Sequence, residues 1–272
     1  MKNTIAAKPV KARTAPASEA GSNFVRSVAR ALRVISSFGA ESPSQTLSQV
    51  AAKTGLDRAT ARRVLLTLEN LRYLRREGRL FSLTPLVLEL GFAYLSSLPF
   101  WSVANDVLRD LAEELQSVCL VVTTDRDFDH VVVVSSVRPT GLPMFVSLPE
   151  VGRSGPSHGV APGIVLLGAL DGDDLENAIR KSIAGKKEFS TSVLRQQVVH
   201  DREQGWSFRS VPLENFCEIA VPLRNRQGRI IASISVLSPL SRVPADEAVE
   251  RYLPRIKQAA EEINRVVAFK DA

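Results

Sequence analysis

The segment TGLDRATARRVLLTLENLRYLRREGRLFSL, residues 54–83, restricts the fold more than any other part of the chain. Gly55 is the residue type that ends a helix at positive φ, and Asp57 is one that opens a helix by accepting from a free N–H. Very little chain separates them. Upstream, Thr46 and Gln49 have the spacing of a capping box, which places a short helix over 47–54. Beyond Asp57, Ala61, Leu65 and Leu68 form an apolar stripe at helical spacing. Arg58 and Arg62 lie four apart on another side, with Thr60, Arg63 and Thr67 on an adjoining polar row. Two helices joined by a short glycine-containing turn, the second presenting arginines, make a helix-turn-helix. Glu77-Gly78 then sits between two short strand-like runs, at the expected tip of a tight hairpin, with Leu74, Phe81 and Leu83 turned inward. Arg75, Arg76 and Arg79 cluster around that tip, so the expected unit is a winged helix-turn-helix with a basic wing.

The charge pattern supports this reading. The whole chain of 272 residues carries a net +6, but residues 1–90 hold 15 Lys and Arg against 6 Asp and Glu, whereas residues 91–272 hold 20 against 23. Basicity confined to the first third is what a nucleic-acid-binding module joined to a second domain would show. Residues 1–23 read as a basic tail, without the apolar core of a secretory signal. No apolar run reaches the roughly 18 residues of a membrane helix, so a membrane protein is not expected. Two cysteines, Cys119 and Cys217, give no disulfide framework, and a reducing cytoplasm is the expected setting.

Between tail and helix-turn-helix, Val28, Ala31, Leu32, Ile35 and Phe38 mark an amphipathic helix over 25–38 with a basic outer face. Thr84 and Pro85 have the types of an N-cap and first helical residue, opening a helix from 85 to about 96 that is apolar nearly all round. Such a helix needs cover beyond its own small domain. A further helix is expected over 101–116. The remainder reads as an α+β domain. Its strands are expected over 119–123, 131–137, 144–148, 218–223 and 229–236, and its helices over 162–170, 173–182, 191–203 and 245–269, the last kinked at Pro254. Strands mixed with helices and hairpins suggest a central antiparallel sheet with helices on its faces. The implied domains are 24–84, a linker and dimerisation helix over 85–100, and 101–272.

Taken together, SVARALRVISSF, the helix-turn-helix, the wing and EIAVPLRNRQGRIIASISV resemble the IclR family of bacterial transcriptional regulators over roughly residues 24–269. The stretch GRLFSLTPLVLELGFAYLSSLPFW is similar to the branch that regulates aromatic-acid catabolism through the β-ketoadipate pathway. The resemblance implies a winged helix-turn-helix on operator DNA, a linker helix, and a GAF-like C-terminal domain binding a small organic-acid effector. It also implies a homodimer or dimer of dimers, with RNA polymerase as a further partner. In HGVAPGIV, Val160 and Ala161 stand where this branch carries hydroxyl-bearing residues and Ile164 where it carries a basic one. An acidic residue and a glycine are replaced around Val211 and Asn215. These departures imply a more apolar pocket.

The expected DNA contacts are Arg58, Ala59, Thr60, Arg62 and Arg63 on the second helix of the motif, Arg75, Arg76 and Arg79 on the wing, and Thr46 at a helix start. Arginines meeting phosphates release counterions and hold register, while base edges in the major groove carry sequence information. The expected effector residues are Ser157, His158 and Gly159, followed by Val160, Ala161 and Gly163 at a helix start whose N–H groups can receive a carboxylate. Met144 joins them, with Cys217, Ile219 and Ser235 on neighbouring strands. A small-molecule-binding protein whose basic domain serves protein partners is the alternative reading. A cysteine hydrolase built on Cys217 and His158 is a weaker one, because no nucleophile elbow, P-loop or paired metal-ligand spacing accompanies them. No enzyme activity, cofactor or metal is expected.

Overall fold

The structure, a computed structural model, describes residues 24–141, 149–186, 188–211 and 215–270. It divides into two compact units between Tyr94 and Leu95. The expected strand over 144–148, and Met144 with it, lie outside the described residues.

In the first unit, α1 (Arg26–Ile35) precedes β1 (Ser44–Thr46), α2 (Leu47–Thr54) and α3 (Arg58–Asn70), and a hairpin of β2 (Leu74–Glu77) and β3 (Leu80–Leu83) follows. The local signals act as the sequence suggests. Thr46 Oγ1 accepts from the Gln49 N–H at 3.3 Å while Gln49 Oε1 accepts from the Thr46 N–H at 2.8 Å. Gly55 takes φ 69°, and Asp57 Oδ1 accepts from the Thr60 N–H at 2.9 Å. Val34, Phe38, Val50, Leu65, Leu68, Leu74 and Phe81 form one buried cluster, binding three helices to the wing. β1 was not anticipated; it pairs antiparallel with β3, making the wing a three-stranded sheet ordered β1-β3-β2. The hairpin tip is also one residue further on. Glu77 pairs with Leu80, so the two-residue loop is Gly78-Arg79, with positive φ (60°) at Gly78, the form in which only the first loop position needs glycine.

The next helix, α4 (Val87–Ser97), starts later than expected. Thr84 does not cap it with its side chain; its hydroxyl donates to the Arg72 carbonyl at 2.5 Å, closing the chain after the wing. None of its side chains is fully buried, and Leu88 and Leu90 are 69% and 53% exposed.

In the second unit, α5 (Trp101–Leu115) leads into the strands β4 (Val118–Thr124), β5 (His130–Val137) and β6 (Ser154–Pro156). Then come α6 (Ala161–Leu167), α7 (Gly172–Ser182), α8 (Thr191–Gln204), β7 (Ser207–Val211), β8 (Phe216–Arg224), β9 (Ile230–Pro239) and α9 (Ala245–Lys270). The six strands form one antiparallel sheet in the order β6-β5-β4-β9-β8-β7. α9 is one helix with Pro254 inside it.

Both faces of the sheet are covered, and strand alternation decides which side chain goes where. Cys119, Val121, Cys217, Ile219, Val221, Ile234 and Val236 pack with α5 and α9 in the largest core. Val118, Leu120, Val122, Val131 and Val133 turn the other way, to Leu166 of α6. Ala220 also faces that way, against Ala161 and Val165. A Cβ built on Gly163 would lie 2.1 Å from the Ser157 carbonyl oxygen, so only glycine lets α6 sit this close to the preceding turn.

Candidate functional site: a basic cleft and a buried carboxylate

The first unit carries an open cleft of about 400 Å³ between α2, α3 and the wing. Thr46, Leu47 and Ser48 line it from the start of α2, Arg58 and Arg62 from α3, and Arg76, Arg79 and Phe81 from the wing. Four guanidinium groups thus converge beside a helix N-terminus, where positive potential from side chains and backbone adds up. Arg76 is held in place: its Nε donates to the Gly78 carbonyl at 2.9 Å, and its guanidinium lies 5.7 Å from the Phe81 ring centroid.

Other expected contacts are placed differently. Arg75 points away from Arg76, as neighbours on a strand must, donates to Ser82 Oγ at 3.0 Å, and lies 3.6 Å from Glu77. Ala59 and Arg63 are exposed on α3 but do not line the cleft. Thr60 corrects the sequence reading: it is only 7% exposed, packed at the start of α3, where its backbone N–H donates to the Asp57 cap.

On the α6 side of the sheet in the second unit, Ser157 and His158 form a short buried turn ahead of α6. Ser157 Oγ donates to the Phe128 carbonyl at 2.7 Å. Lys186 Nζ donates to His158 Nε2 at 3.0 Å, so the ring proton sits on Nδ1 and is shared with Ser182 Oγ at 2.8 Å. The Phe189 ring packs edge-on at 4.5 Å. Burial, with the Lys186 and Arg209 cations beside it, pushes the imidazole down to about 4, so His158 is neutral at physiological pH. Arg209 of β7 donates to the His158 carbonyl at 2.7 Å.

The central feature is Glu218, which no sequence signal singled out. It stands directly across from Arg209 in the β7–β8 ladder and is 9% exposed. Its Oε2 accepts from the Ala161 N–H at 3.0 Å and its Oε1 from Ser235 Oγ at 3.1 Å. Burial pushes its carboxyl up to about 7, against the pull of those hydrogen bonds and of Arg209.

Two profile matches fit this architecture: the IclR helix-turn-helix domain over residues 27–78, and the bacterial transcriptional regulator IclR C-terminal domain over 92–265. The chain belongs to the IclR family. IclR proteins are transcriptional regulators, not enzymes, and this one pairs the family's DNA-binding helix-turn-helix, here winged, with the family's C-terminal domain. Among its relatives, the Pca regulon regulatory protein of Pseudomonas putida is 31% identical over 246 residues, covering 89% of this chain and 84% of the relative. The Pca operon regulatory protein of Acinetobacter baylyi is 26% identical over 258 residues, covering 90% of each. A transcriptional regulator of Rhodococcus sp. RHA1 superposes with a TM-score of 0.73 at 31% identity, covering 90% of this chain and 98% of that one. An IclR homologue of Microbacterium hydrocarbonoxydans, solved with 4-hydroxybenzoate, shares the fold at 20% identity and TM-score 0.73, over 89% of this chain and 98% of its own.

Against this IclR frame, the expected effector set divides by sheet face. Ser157, His158, Val160, Ala161, Gly163 and Ser235 gather on the α6 side, with Gly159 exposed at the edge. Cys217 and Ile219 belong to the opposite core, with α5 and α9, and cannot share that space. The same alternation separates the Cys217 thiol from His158, and burial raises the thiol further above its ordinary value, so no nucleophilic pair is assembled. The site is less apolar than the departures at Val160 and Ala161 implied, because Glu218 supplies the carboxyl. At the other departure, Asn215 takes φ 59°, a conformation asparagine tolerates in place of glycine.

Proposed function

We propose that this IclR protein controls a catabolic operon for aromatic or related organic acids, binding operator DNA through the basic cleft and an effector on the α6 face of its sheet. The observation that carries the DNA reading is the convergence of Arg58, Arg62, Arg76 and Arg79 with the capped start of α2 on one open surface. Arg76 and Arg79 meet phosphates flanking the groove, while Arg58 and Arg62 enter it with the exposed Ala59 and Arg63 beside them; Arg75 and Thr46 hold the wing and α2 in register. The effector site comprises the 157–163 segment, Ser235 and Glu218. The match to two Pca regulators supports the aromatic-acid class.

In this reading the protein acts in the cytoplasm as a homodimer or dimer of dimers, residues 85–100 forming a linker whose exposed Leu88 and Leu90 are covered by a second copy. Residues 24–84 form the DNA-binding domain and 101–272 the effector domain. Among the described residues no single helix is long and apolar enough to cross a membrane. The effector changes the spacing of paired DNA-binding domains, whose half-sites lie about 34–36 Å apart or at multiples of it. A gel-shift titration against the protein's own upstream region tests this. A sequence-preferring complex that weakens with salt and responds to an aromatic acid is expected; salt-independent or absent binding contradicts it.

A further inference from the structure

We propose that Glu218 sets the chemical class of the effector: the contact between α6 and the sheet already holds the chain's own carboxylate, so the effector group that meets it is a hydrogen-bond donor, a hydroxyl or an amine. The inference rests on the reading of the α6 face as the effector site and narrows it.

The argument begins with occupancy. The Ala161 N–H and the Ser235 hydroxyl are donors that an incoming carboxylate would use, and both are directed at Glu218, at 3.0 and 3.1 Å. The cation across the ladder, Arg209, is turned to the His158 carbonyl at 2.7 Å. Lys186 is engaged with His158 Nε2. A carboxylate placed against this cluster meets a like charge in an apolar wall made by Ala161, Val165 and Ala220. Two carboxylates in one buried site cannot both ionise, so such a ligand binds only with an added proton.

A donor meets the reverse situation. Each carboxylate oxygen can accept about two hydrogen bonds, and each Glu218 oxygen holds one bond from a described partner. A hydroxyl or ammonium group can add a bond without competing for the donors that Glu218 already uses. An effector acid is therefore admitted only if it carries a second, donating group that turns toward Glu218.

The test uses three monofunctional probes of one size, benzoate, benzyl alcohol and benzylamine, titrated calorimetrically into the full-length protein at pH 7.5. Wild type is expected to bind the alcohol or the amine at least about tenfold more tightly than benzoate, and Glu218→Gln to reverse or erase that order by gaining affinity for benzoate. Glu203→Gln, which removes an exposed carboxylate of α8 and leaves Glu218 in place, is expected to retain the wild-type order. A circular dichroism melt checks folding, and if Glu218→Gln does not fold, the wild-type order decides. Preference of wild type for benzoate, or no difference among probes in any of the proteins, overturns the proposal. DNA binding is measured in parallel: its loss with the probe order intact counts against the regulator reading and leaves this inference standing.

Discussion

Replacing Glu218 by glutamine should change how stability depends on pH, by an amount the geometry sets. Glu218 is displaced from 4.5 up to about 7 because its charge is buried. At about 1.4 kcal/mol per pH unit, that displacement corresponds to about 3 kcal/mol. The sign follows from proton counting. Between pH 4.5 and 7 the folded chain holds a proton at Glu218 that the unfolded chain has released, so this contribution is complete below 4.5 and is lost as pH rises through 7. His158 acts in the opposite sense: its folded value falls from 6.5 to about 4, so its contribution is present above 6.5 and disappears as pH falls through 4. Between about 4.5 and 6.5 the two slopes oppose each other in wild type, and the pH profile alone conceals both.

Glu218→Gln separates them. Relative to wild type, the variant is expected to gain about 3 kcal/mol between pH 4.5 and 8, and its own stability should fall below pH 6.5 with the His158 slope exposed. Urea denaturation followed by tryptophan fluorescence is suited to this, because the chain's two tryptophans, Trp101 and Trp206, both lie in the unit that contains Glu218. A constant difference between the two proteins from pH 4.5 to 8 would refute the reasoning, since it would mean that Glu218 is ionised alike in the folded and unfolded states.

Other substitutions test single links of the account. Gly163→Ala forces a Cβ to 2.1 Å from the Ser157 carbonyl, so it should lower the melting temperature of the effector domain by several degrees or prevent folding. Thr46→Ala removes the capping box of α2 and should cost about 1 kcal/mol in chemical denaturation of the DNA-binding domain. Leu65→Ala empties the centre of the α1–α3–wing core, where Leu65 is fully buried, and should cost about 3 kcal/mol, abolishing DNA binding through unfolding.

The DNA-binding half was legible because each of its devices is local. A threonine and a glutamine three apart, a glycine at φ 69° and an aspartate before a helix each act over one turn, and no distant residue alters their meaning. Thr60 was misread because a polar residue beside a cap can be drawn inward, which only the packing of α3 decides. The effector half was harder for a different reason. A sheet covered on both faces reads as a continuous apolar run, so FCEIAVPLR does not disclose which alternate residues face α6. That is why Cys217 was grouped with Ser235, and why Glu218 was passed over between them. β6 and β7 escaped because SGP and SFRSV carry no strand pattern of their own; they are strands because a neighbour pairs with them. The His158 partners Ser182 and Lys186 lie 24 and 28 residues further along, beyond any local signal.

The central claim is that the cleft between α2, α3 and the wing is the surface that meets DNA. Its most direct test is fluorescence anisotropy of the protein's own upstream DNA, titrated at several salt concentrations with wild type and with Arg76→Ala/Arg79→Ala. If these arginines neutralise phosphates, the double variant binds more weakly to all sequences, and the slope of log K against log salt becomes shallower by about 2. An unchanged affinity and slope would place the DNA elsewhere and contradict the account.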